Sequence, residues 1–180
     1  EPFGYILKPF KDKELYTTID IALYKYSIDQ RLKKQERWLS AILHSIEDGI
    51  VATDTDSNIA FMNPVAEQLT GWSTDEAKGQ PVEDIFHVVD GATDALARSP
   101  VRVCLASGRL FALDSETVLV KRNRDRCDIR TNAAPLRSPY GGIIGAVLVF
   151  QDVSDSRARQ RELAHTAMHD SLTGLPNRAS

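Results

Sequence analysis

Residues 49–72 read GIVATDTDSNIAFMNPVAEQLTGW, and the punctuation of this stretch sets the architecture. Gly49 to Asp54 (GIVATD) and Asn58 to Met62 (NIAFM) are short apolar runs flanking a polar turn with Asp56, Ser57 and Asn58, which predicts a hairpin. Asn63-Pro64 then joins a capping side chain to a proline at the first helical position, where the missing N–H costs nothing, and Gly71 closes that helix. Working downstream, Ser73 to Glu76 (STDE) fits a capping box, in which hydroxyl and carboxylate satisfy orphan amides, with Gly79 as the stop. Ser99-Pro100 starts a third helix, Val101 and Leu105 share one face of it, and Gly108 ends it.

The second half is strand-rich. Thr117 to Arg122 (TVLVKR), Ile129 to Leu136 (IRTNAAPL) and Ile143 to Gln151 (IIGAVLVFQ) are separated by polar or glycine turns. Ile129, Thr131 and Ala133 alternate with Arg130 and Asn132, so the middle run is half-buried. The last run is almost continuously apolar and belongs at the centre of a sheet. Two strands, short helices, then three antiparallel strands predict an α+β fold with the helices gathered on one face.

Upstream of Gly49 the pattern is helical. Leu15, Ile19, Ala22 and Tyr26 make one apolar stripe, and Ile28, Leu32, Gln35, Leu39, Ile42 and Ile46 make a second. The step from Tyr26 to Ile28 puts the two out of phase, as expected where a domain boundary falls inside a continuous helix. The second stripe reads as a short coiled-coil seam, against the plainer alternative of a helix packed on its own domain. At the far N-terminus Tyr5, Ile6 and Leu7 form a strand-like run stopped by Lys8-Pro9, because proline donates nothing to a ladder. Beyond Asp152 helical character returns through Arg157 to Met168, before a Gly-Pro turn in LTGLPNR.

The 180 residues are 42% hydrophobic and 26% charged with net charge −3, a globular composition without the field that draws nucleic acid. Basic clusters at Arg31, Lys33, Lys34, Arg37 and at Lys121, Arg122, Arg124, Arg126 read as a solvated helix face and a hairpin tip. No apolar run reaches the roughly 18 to 20 residues of a membrane span, and the N-terminus lacks a secretory pattern. Cys104 and Cys127 suggest no disulfide framework and fit a reducing, cytoplasmic setting. The start at Glu1 reads as an excerpt from a longer protein.

The order of these blocks resembles a PAS domain. GIVATDTDSNIAFMNPVAEQLTGW is similar to that family's opening hairpin and first helix. IRTNAAPL with GGIIGAVLVFQDVS resembles its last two strands and closing Asp-x-Thr signature, here Asp152-Val153-Ser154. The resemblance implies a five-stranded antiparallel sheet with short helices on one face, often over a pocket. Arg126 stands where many members have glycine, which puts the turn type in question, and Ser154 replaces threonine but keeps a hydroxyl. GYILKPF and the helix after it resemble the end of a response-regulator receiver domain, with Lys8 matching its phosphate-contacting lysine. HDSLTGLPNR resembles the opening of a GGDEF diguanylate cyclase domain, through Asp170, Asn177 and Arg178. The expected organisation is a receiver remnant at 1–26, a linker helix at 27–48, PAS at 49–155, a linker helix at 156–168, and the GGDEF start at 169–180.

Chemistry of its own is not evident in the chain. Cys104 (PVRVCLASG) lacks the Asn-Cys-Arg-Phe-Leu-Gln block of flavin-binding photoreceptors, and free buried cysteine usually behaves as a small hydrophobe. No histidine occurs in Asp94–Ser107, the stretch corresponding to the helix on which haem-binding members carry the axial ligand, and His87 in FHVVD reads as a partly exposed helix-end residue. His165 and His169 share a helix face without a third ligand, so no metal site is expected. His169-Asp170 with Thr173 is faintly similar to a histidine-kinase phospho-acceptor box, but Gly174 stands in place of its proline. No cofactor is expected, although a small molecule or flavin in the PAS pocket stays open.

The expected function is a non-catalytic sensory and relay module between a receiver and a cyclase output, working as a homodimer through the N-terminal helix and PAS. Ile28, Leu32, Leu39 and Ile42 would carry the incoming signal, and Asp152 and Ser154 would pass it on. A PAS linker of a hybrid histidine kinase, or a ligand-free dimerisation spacer, are the alternatives. Neither nucleic acid nor membrane is an expected partner.

Overall fold

The helical stripes lie on one continuous helix, α1 (Asp12–Ser45), in a computed structural model that describes residues 12–113 and 116–160. The phase change at Tyr26–Ile28 does not break it. Ile46, placed by spacing on the second stripe, falls outside the helix. The reason is local: Ser45 Oγ bonds back to the Ile42 carbonyl, and two residues beyond Ile46 the Asp48 carbonyl is already held by Asn63 at 2.9 Å. The chain divides into two units, α1 and the residues from Ile46 onward.

The second unit is built on β1 (Gly49–Thr53), β2 (Ile59–Met62), β5 (Thr117–Val120), β6 (Arg126–Arg137) and β7 (Ile143–Asp152). These run antiparallel in the order β2-β1-β7-β6-β5, so the five expected strands are present and β7 is central. Two further strands enlarge the sheet to seven: β3 (His87–Asp90) pairs with β5, and the two-residue β4 (Phe111–Ala112) pairs with β6. His87 therefore opens a strand. The four-residue β3 escapes a sequence reading because it is pressed between the short helix α4 (Val82–Ile85) and a turn closed by Asp90.

Helices α2 (Pro64–Thr70), α3 (Thr74–Ala77) and α5 (Pro100–Ser107) start and stop where their caps dictate. Gly71 and Gly108 take left-handed conformations at the helix ends, which glycine adopts without a Cβ penalty. Helix α5 begins at Pro100 behind the Ser99 cap, where the Ser99-Pro100 pair places it, and Asp94 is left-handed (φ 56°) in the loop before it.

Alternate residues of the central strands form the core. Ala146, Leu148 and Phe150 of β7 face inward beside Ile129, Thr131 and Ala133 of β6, with Val51 and Leu119 on either side. Ala66, Ala77, Val82, Ile85, Val101 and Cys104 from the helices complete the cluster. Phe150 packs against Phe86 with ring centroids 4.8 Å apart, and a Cβ at Gly49 would lie 2.6 Å from the Phe150 ring. Both outer edges are blunted by returning chain: Ile59 exchanges backbone bonds with residues 79 and 80, and Val88 accepts from Ala97. Such cover suppresses edge-to-edge pairing.

Candidate functional site

The chain leaves the sheet through Asp152-Val153-Ser154, and helix resumes over 154–160. Asp152 accepts the Ser154 N–H at 2.9 Å, closing an Asx-type turn that starts the helix. The Ser154 hydroxyl accepts the Asp128 amide at 3.0 Å, and the Asp128 carbonyl accepts the Val153 N–H at 2.8 Å. Both backbone groups of one β6 residue are thus used to hold the end of β7.

Asp128 also pairs its carboxylate with Arg157, at 3.3 Å, with side chains 18% and 19% exposed. At that degree of burial solvent screens the pair less than a surface ion pair, while both charges carry a desolvation cost that the geometry must offset. Arg157 donates further to the carbonyls of Thr117 and Ile129, each at 3.4 Å. One arginine in the first turn of the exit helix therefore engages β5 and β6 together.

Cys127 lies beneath this junction, 3% exposed, and the Ser154 hydroxyl approaches its Sγ at 3.9 Å. Burial, reinforced by the neighbouring Asp152 carboxylate, pushes its thiol up to about 11. Burial alone would raise the Asp152 carboxyl, but bonds from Ser154 and the Cys127 thiol hold it below the ordinary value. A cavity of about 490 Å³ beside the junction is lined by Asp94, Arg126, Asp128 and Arg157 among others. Its arginines are already matched, Arg126 by Asp94 and Arg157 by Asp128.

A second junction sits where the chain enters the sheet. Asn63, fully buried, accepts the amides of Ile50 (2.8 Å) and Ala66 (2.9 Å) at Oδ1 and donates from Nδ2 to Asp48 O. The N-cap read from sequence thus also ties the first strand to the segment leading out of α1.

Among the residues expected to relay a signal, Asp152 and Ser154 meet at the exit. Ile28, Leu32 and Leu39 lie exposed on α1 and Ile42 is half-buried there. Lys8, His165, His169, Asp170, Asn177 and Arg178 lie outside the described residues. Sequence reasoning missed Asp128 and Arg157, since only strand register and the helix that follows bring them together. The basic hairpin tip is accounted for locally. Arg122 stacks over Trp72 at 4.0 Å and pairs with Glu76, and the left-handed turn residue is Arg124 (φ 70°). Arg126 is already in β6, opposite Val120, so no glycine is needed there. Cys104 is fully buried in the core, and burial raises its thiol. Among the described residues no helix is long and apolar enough to cross a membrane.

The profile of the PAS fold matches residues 43–158. The chain is 36% identical over 153 residues to the probable diguanylate cyclase DgcE of Escherichia coli (strain K12), covering 85% of this chain and 14% of that protein. It is 27% identical over 142 residues to the signal transduction histidine-protein kinase AtoS of the same organism, covering 77% of this chain and 21% of that protein. The chain therefore spans a minor part of these relatives' length. A PAS domain of a Colwellia psychrerythraea protein superimposes with TM-score 0.53 at 23% identity, over 69% of this chain and 98% of that one. Fold, sheet order and residues 43–158 agree, and the chain belongs to the PAS family.

Proposed function

We propose that this chain is the sensory and relay module of a larger signalling protein, coupling a receiver domain to a diguanylate cyclase output through dimeric helices. The observation that carries this reading is the exit junction. Asp128, Asp152, Ser154 and Arg157 fix the first turn of the exit helix to the central strands, so a change in the sheet has a direct route into whatever follows. The similarity to a probable diguanylate cyclase supports the nature of that output, as does the HDSLTGLPNR stretch. Relay of this kind needs an element with two packings that differ by only a few kcal/mol. The chain itself contributes no catalysis; PAS domains are generally sensors.

In the parent protein, Arg157→Ala and Asp152→Ala should preserve the PAS fold and uncouple output from input, read as cyclic di-GMP formed with and without receiver phosphorylation. Unchanged coupling in both variants would sink the relay. Sedimentation of the 180-residue chain tests the dimer, which a monomer at every concentration would refute. Native mass spectrometry with an absorption spectrum separates a ligand-binding sensor from a spacer: a bound mass or a near-ultraviolet or visible band means sensing. The similarity to a histidine kinase favours one second reading, a PAS linker of a hybrid kinase. Sequence beyond Ser180 distinguishes the two, as a GGDEF loop or as a kinase nucleotide-binding block.

A further inference from the structure

Within α1, Ile28, Leu32, Gln35, Leu39 and Ile42 alternate at spacings of four and three, the d and a positions of successive heptads. Ile28, Leu32 and Leu39 are 50%, 53% and 56% exposed, so this chain leaves the seam uncovered along most of its length. The flanking positions carry ordered chemistry. Arg31 and Trp38 occupy g positions, whereas Glu36 and Leu43 occupy e positions. In a parallel, in-register pair each g residue meets the following e residue of the other helix. That sets Arg31 against the partner's Glu36, and Trp38 against the partner's Leu43, twice by symmetry. An antiparallel pair layering Leu32 on the partner's Ile42 and Leu39 on the partner's Gln35 instead brings Glu36 against the partner's Glu36. Asp29, the preceding e residue, is held at 2.7 Å by Lys33 of its own helix.

We propose that residues 28–42 recognise a second copy of this chain in a parallel, in-register seam, with the Arg31–Glu36 pairs selecting direction and Gln35 fixing register. The proposal rests on the dimer reading above and adds the direction, register and residues of recognition. Gln35 sets register because its amide finds a hydrogen-bonding partner opposite another Gln35, whereas a slip of one heptad places it against Ile28 or Ile42. Trp38, 68% exposed, adds apolar area beside the seam. A seam of about two heptads is weak by itself. That weakness suits a helix pair meant to change state.

The test uses the full 180-residue chain. Ile28→Cys, far from the seam's midpoint, should cross-link to a dimer on mild oxidation, with the unsubstituted chain setting the background from buried Cys104 and Cys127. Arg31→Glu should raise the dimer dissociation constant about tenfold, since two attractive pairs become repulsive. Mixing it with Glu36→Arg protein should restore tight, hetero-dimeric association. Circular dichroism of each variant confirms the fold. A dimeric parent chain whose Ile28→Cys variant does not cross-link, and whose Arg31→Glu variant associates normally, overturns the seam and leaves the dimer reading standing. A monomeric parent chain overturns both.

Discussion

Asn63 serves three backbone groups with one amide, and the cost of losing it follows from their burial. Asn63→Ala leaves the Ile50 N–H without its acceptor in the core and removes the α2 cap. A stranded buried donor costs about 1–3 kcal/mol and a lost cap about 1 kcal/mol. The variant should therefore lose about 2–4 kcal/mol in urea unfolding, whereas Asn58→Ala, at a partly exposed turn, should lose less than half as much. Cys127 gives a pH signature. Its folded thiol titrates near 11 against an ordinary 9.0, so above pH 9.0 the unfolded chain releases a proton that the native chain keeps. The unfolded state is thereby favoured, and stability should fall as pH rises between those values. Urea midpoints across that range should show the decline, and Cys127→Ala should flatten it.

At the scale of elements, the central β1–β7 pair tolerates no side chain at Gly145, where a Cβ would lie 2.0 Å from the Thr53 carbonyl oxygen. The obstacle is backbone and cannot swing aside. Gly145→Ala should cost more than about 3 kcal/mol or abolish folding, since overpacking costs about 1–3 kcal/mol even where neighbours can shift, and here they cannot. Gly79→Ala meets open space and should cost only about 1–2 kcal/mol for its left-handed backbone. Thermal unfolding of both variants checks the contrast. The exit helix depends on Arg157 in another way. Arg157→Ala removes the pair with Asp128 and both carbonyl contacts while leaving the Asp152–Ser154 turn intact. Amide exchange over 154–160 should then accelerate at least tenfold with the β6–β7 ladder still protected, because local opening is governed by local contacts.

For the whole molecule, the division after Ser45 means that the sheet and its helices close a core without α1. Deleting residues 1–45 should leave thermal stability within a few degrees of the parent chain and shift sedimentation to monomer; a melting temperature lowered by more than about 10 °C would contradict that division. The limits of sequence reading have a consistent physical cause here. Caps, turns and strand alternation are local, so GIVATDTDSNIAFMNPVAEQLTGW, the STDE box, Ser99-Pro100 and the apolar β7 were legible, and with them the α+β order. The short strands β3 and β4 were not, because so few residues carry no period and pair only when β5 and β6 are already in place. Ile46 kept the heptad spacing yet left the helix, since the Asn63–Asp48 bond takes over where the stripe would have continued. Asp152 and Ser154 were legible through the resemblance of Asp152-Val153-Ser154 to the PAS closing signature. Asp128 and Arg157 were not: their meeting depends on the register of β6 against β7 and on the direction in which the exit helix starts, and only the folded sheet sets both.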